Sequence, residues 1–76
     1  QVFPNPANNE IILDGLYANS EIFMCDITGN IIERYSEKNI ANGRMKISCA
    51  ELSDGIYFLR ILSDKIRTDR KIIVQH

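Results

Sequence analysis

The sequence predicts an all-β domain, an antiparallel sandwich of about seven strands joined by tight turns. Short runs rich in Ile, Val, Phe and Tyr recur at roughly 8–12-residue intervals, separated by clusters of Gly, Asn, Asp and Ser. Several of these runs alternate apolar and polar side chains, the period of a sheet with one wet face. Nowhere does an apolar pattern of 3.6-residue period persist for three turns, so no helix competes for the same residues.

The chain opens stiffly, with VFPNPANNEIIL. Pro4 and Pro6 fix φ and lack an N–H, and Asn5, standing before Pro6, is driven toward extended geometry. Phe3 to Pro6 is therefore an extended edge segment or a turn. Ordering such a segment costs roughly 1–2 kcal/mol of backbone entropy per residue, so it must dock, with Val2 and Phe3 as anchors. Residues 10–14, EIILD, are a short β-branched run that stops at Gly15, which reads as a strand. In SEIFMCDITGNIIERYS two strand-forming runs flank Asp26-Ile27-Thr28-Gly29-Asn30, and this predicts a hairpin centred near Gly29.

The stretch RMKISC sets Met45, Ile47 and Cys49 on one face and Lys46 and Ser48 on the other. GIYFLRILS is apolar on both faces. Arg60 marks the face of Ile56, Phe58 and Leu62 as the less buried, which leaves Tyr57, Leu59 and Ile61 for the core. In the last run, KIRTDRKIIVQ, Ile72 and Val74 share one face while Lys71, Ile73 and Gln75 share the other. The only helical turn expected lies near Ala50 to Ser53. Leu52-Ser53-Asp54-Gly55-Ile56-Tyr57 has the form of a tyrosine corner, in which a Tyr just inside a strand bonds back to the preceding loop. Strands at both ends and turns between them describe an immunoglobulin-like sandwich.

At 76 residues the chain is one domain, which buries about 60% of the surface its unfolded form exposes. Its 45% hydrophobic and 25% charged residues exclude a disordered tail, and no apolar run approaches the ~20 residues of a membrane-spanning helix. The sequence starts at Gln1, which leads us to expect a fragment of a longer precursor. A net charge of −1, with no basic stripe interleaved with aromatics, argues against nucleic-acid binding. The charge is unevenly placed, however. From residue 56 onward Arg60, Lys65, Arg67, Arg70 and Lys71 face only Asp64 and Asp69, the pattern either of solvated strand positions or of a positive face for an acidic partner.

Catalytic chemistry is hard to assemble from these residues. Cys25 and Cys49 belong to no C-x-x-C pair and stand near no histidine at metal-ligand spacing. They read as buried free thiols, with a bridge across the core as the alternative. The sole histidine, His76, is the last residue and reads as an exposed tail, so a nucleophile has no base. Asp26, Asn30 and Asp54 offer oxygen ligands for calcium but lack D-x-D-x-D-G spacing, and they read as turn residues. Tyr17, Phe23 and Tyr35 are the candidates for a sugar-stacking platform, with core packing as the preferred reading. No enzyme activity, cofactor or metal is expected.

Three stretches, VFPNPANNEIIL at the start, LSDGIYFLRI in the middle and RKIIVQ at the end, together resemble the type A C-terminal sorting domain of cargo proteins of the type IX (Por) secretion system of Bacteroidetes. The resemblance spans the whole chain. It falls on Pro4, Asn5 and Pro6, on Gly29 in the first hairpin, on Gly55 and Tyr57, and on Lys71, Ile72, Ile73 and Val74. Asn30 stands where the family usually carries a lysine. The resemblance implies an address for export across the outer membrane, placed after an N-terminal cargo domain and usually removed by a sortase. The cargo would pass through the periplasm to the cell surface or beyond, with the secretion machinery and the sortase as partners and no membrane insertion of the domain. The rival reading is a fibronectin-like or carbohydrate-binding accessory module of an extracellular enzyme.

Overall fold

A computed structural model of the chain describes residues 2–4, 7, 9–64 and 66–76. Seven strands follow one another: β1 (Val2–Phe3), β2 (Glu10–Leu13), β3 (Glu21–Cys25), β4 (Ile31–Tyr35), β5 (Met45–Ser48), β6 (Gly55–Ser63) and β7 (Ile66–Val74). They form two antiparallel sheets, one ordered β1-β2-β5 and the other β4-β3-β6-β7. Helical structure among the described residues is a single 3-10 turn at Glu37–Asn39, capped by the Ser36 hydroxyl, which accepts from Lys38 N at 3.1 Å. The turn expected near Ala50 to Ser53 is instead a non-helical bend closed by Leu52 N donating to Cys49 O. The six residues between β5 and β6 are too few to propagate a helix whose nucleus is costly.

The core lies between the sheets and follows the two-residue period of the sequence. Ile11 and Leu13 of β2 and Met45, Ile47 and Cys49 on and after β5 come from one sheet; Ile22, Met24, Leu59, Ile72 and Val74 come from the other. Each is at most 2% exposed, and burying a side chain of this size contributes about 1.5–3 kcal/mol. Tyr57 and Ile61 pack against this cluster beside Leu59, as the face assignment for β6 requires. Cys25 and Cys49 are free thiols and both are buried. A register shift between Met24 and Cys25 lets two successive β3 residues be buried.

The register defines two ends of the sandwich. Cys25 pairs with Phe58, Gly55 with Val74 and Glu10 with Ser48, so residues 26–30, 49–55 and 72–76, with Ala7 and Asn9, gather at one end, the tail end. Leu13 pairs with Met45, Glu21 with Leu62 and Ser63 with Ile66, so loops 14–20 and 36–44 and the β6–β7 turn occupy the other, the loop end. Val2, opposite Leu13, also lies toward the loop end.

Candidate functional site

The opening motif sets the chain's path between the sheets. Val2 and Phe3 pair with Leu13 and Ile12 at the edge of the smaller sheet, and the strand stops at Pro4, whose missing N–H ends the ladder. Ala7, 1% exposed, then joins the larger sheet. Its N–H donates to Ile73 O at 2.7 Å and its carbonyl accepts from Gln75 N at 2.8 Å, a parallel bridge opposite Val74. Val2 and Phe3 anchor the opening as expected, and Ala7 docks it a second time. Asn5 and Pro6, both candidate residues, lie outside the described residues.

Gly55 and Tyr57 open β6 directly against the last motif, with Gly55 opposite Val74, Ile56 opposite Ile73, Tyr57 opposite Ile72 and Phe58 opposite Lys71. Tyr57 makes the expected corner: its hydroxyl donates to Ser53 O at 2.8 Å and lies 3.2 Å from Ser53 Oγ. Ile72 and Val74 are buried, Ile73 is half-buried, and Lys71 is exposed beside them. Three stretches far apart in sequence are therefore brought to one corner.

Gly29 stands at the same end, in the β3–β4 turn. Its φ of 91° is a conformation that a side chain disfavours, and the turn is held by Asp26. Asp26 Oδ1 accepts from Thr28 N (2.9 Å), Thr28 Oγ1 (2.7 Å) and Asn30 N (3.0 Å), while Gly29 N donates to Asp26 O. The Thr28 hydroxyl, followed by the backbone donors, holds the Asp26 carboxyl below its ordinary range. The oxygen considered for calcium is the organiser of the turn.

His76 departs from the sequence reading. It is exposed but fastened: its backbone N–H donates to Asp54 Oδ1 at 3.0 Å, and its Nε2 lies 2.6 Å from Leu52 O. A carbonyl only accepts, so Nε2 carries the proton. This closes the 49–55 bend over the end of β7. No sequence signal pointed to it, because the partners lie 22 and 24 residues away. Ala7, equally central, is a small residue in a motif read for its prolines.

The three aromatics weighed as a platform are not brought together. Phe23 faces out from β3 with the Arg34 guanidinium 5.3 Å above its ring, Tyr35 packs against the core, and Tyr17 stands 68% exposed on loop 14–20. The core reading holds for Tyr35, whose hydroxyl burial pushes up to about 12, and is corrected for Tyr17. Phe23 sits on the outer sheet face because Ile22 and Met24 take the inner one.

A seven-stranded two-sheet domain whose first, middle and last motifs meet at one corner defines the class, a small β-sandwich. Residues 1–75 match the family described as Secretion system C-terminal sorting domain, and the chain belongs to that family, the sorting domains of type IX secretion. No curated protein matches the chain.

Proposed function

We propose that the tail end is the surface the type IX machinery reads, and that the domain acts as an address without catalysing a reaction or holding a cofactor. The observation that carries this is the convergence of Ala7, Gly55 and Tyr57, and Lys71 to Val74 on one sheet corner, with Gly29 in the turn at the same end. A core alone needs Ile72 and Val74 but does not need the exposed Lys71 beside them. Cargo precedes the domain in this family, so it attaches on the Val2 side, toward the loop end, and leaves the tail end accessible. In this reading the cargo crosses the periplasm, the domain engages the outer-membrane machinery, and a sortase then removes it.

The test is a secreted reporter fused ahead of this chain in a host that has the machinery. Lys71→Glu should lower the exported fraction severalfold while the purified chain keeps its melting temperature; deletion of residues 71–76 should abolish export. Undiminished export of both variants would refute the assignment of the site. Released reporter should have a mass that lacks the domain, and intact fusion outside the cells would refute removal by a sortase.

A further inference from the structure

Deepening the sorting reading, on which its cellular test rests, we propose that the edge of β7 from Ile66 to Arg70 is a strand-pairing dock for an extended acidic segment of the export machinery. β7 is the outermost strand of its sheet, and among the described residues only Ala7 pairs with its outer side, at Val74. The bonds from Ala7 N to Ile73 O and from Gln75 N to Ala7 O show which residues turn their peptide groups to that edge. In an antiparallel strand these alternate, so Arg67 and Asp69 present theirs in the same direction, while Ile66, Thr68 and Arg70 bond β6. The edge already accepts one extended residue at its far end, and the remainder continues the same ladder.

The side chains of this stretch are also uncovered. β6 and β7 are each nine residues long, whereas β1, in the smaller sheet, has two. The hairpin outruns its cover, and a cavity of about 140 Å³ opens beneath it, walled by Ile61, Ile66, Thr68 and Arg70 with Tyr17 and Ser20 of loop 14–20. Ser20 Oγ is buried there, in a residue only 1% exposed, and has no hydrogen-bond partner among the described residues. Tyr17 and Ile66 stand 68% and 65% exposed at its rim. A strand added to β7 would send alternate side chains toward this cavity, where apolar groups meet Ile66 and Tyr17 and a polar one meets Ser20.

Charge selects the occupant. Along the edge Arg67, Arg70 and Lys71 outnumber Asp69, which Arg67 holds at 3.0 Å and Arg60 approaches at 3.6 Å. A second copy of this chain would set one basic strand against another, whereas an acidic strand finds Arg67 and Lys71 on either side of Asp69, whose charge Arg67 already pairs.

Arg67→Pro separates backbone from side chain. It removes an N–H that faces the edge and leaves the bonds to β6 intact. In the reporter fusion, Arg67→Pro should reduce export about tenfold and Arg67→Ala about twofold, the latter keeping the N–H. Export of Arg67→Pro at the level of the unaltered fusion, while deletion of the whole domain stops export, overturns the dock and leaves the sorting reading standing. Export that survives deletion of the whole domain overturns both. Should Arg67→Pro lower the melting temperature, amide exchange on the unaltered chain decides: a short peptide alternating valine and glutamate should protect the Arg67 and Asp69 amides, and its valine–lysine counterpart should not. Equal protection by the two peptides, protection by neither, or protection that grows with the concentration of this chain alone overturns the proposal.

Discussion

The two ends of this sandwich solve the problem of a small domain in opposite ways. At the tail end nearly every segment is tied across long sequence distance: Ala7 to Ile73 and Gln75, Cys49 N to Asn9 O at 2.6 Å, and His76 to Leu52 and Asp54. At the loop end Leu16 N reaches Gly43 O and Asp14 pairs with Arg44, yet a cavity remains, lined by a buried hydroxyl with no partner among the described residues and rimmed by exposed Tyr17 and Ile66. A domain of this size has a narrow stability margin, so fixing one end while leaving the other incomplete has a functional meaning. The fixed end holds the family motifs in one geometry. The incomplete end is where further contacts have something to gain.

The largest expected effect breaks the fixed end outright. Ile72→Ala empties a fully buried site opposite Tyr57 and should cost about 2–5 kcal/mol by denaturant unfolding. A loss well under 1 kcal/mol would mean that this corner is not packed as described. Tyr57→Phe keeps the ring and removes only the bond to Ser53 O, and should cost about 1 kcal/mol.

The same reasoning run at the loop end gives the opposite sign. Ser20→Ala removes a buried hydroxyl that lacks a partner among the described residues, so unfolding measurements should show no loss and a gain of up to about 1 kcal/mol. A clear destabilisation would show that the hydroxyl is bonded and the ends are alike.

How far the sequence reached follows the same division. Period-two patterning exposed the core faces of β5, β6 and β7, because each strand has one wet or weakly buried side that marks the other. The turn at Gly29 and the Tyr57 corner were legible because their chemistry is local. The role of Ala7, the tether at His76 and the exposure of Tyr17 were not, since each depends on which segments the fold places side by side. Of the candidate residues that the structure describes, Gly29, Gly55, Tyr57, Ile72 and Val74, read for conformation or apolarity, have roles in the fold. Lys71 was read for the family resemblance alone, and it lies exposed beside Ile72.

The smallest effects concern the carboxylates. Asp26 and Asp14 both have folded-state values lowered from 3.8, so each favours the folded chain above that pH, and its contribution fades as pH falls through the ordinary value and then the folded one. The causes differ. Neutral donors led by Thr28 act on Asp26, whereas the Arg44 side-chain bond leads at Asp14. Added salt should move the Asp14 midpoint back toward 3.8 in an NMR titration and leave that of Asp26 nearly unchanged. Equal movement of both would contradict the contrast between the ends.

The account stands most directly on the fate of an unrelated periplasmic protein given this chain at its C-terminus. In a bacterium with the type IX machinery, the fusion should appear outside the cells while the protein without the chain stays in the periplasm. Retention of the fusion in the periplasm, with the β-sandwich folded, would contradict it.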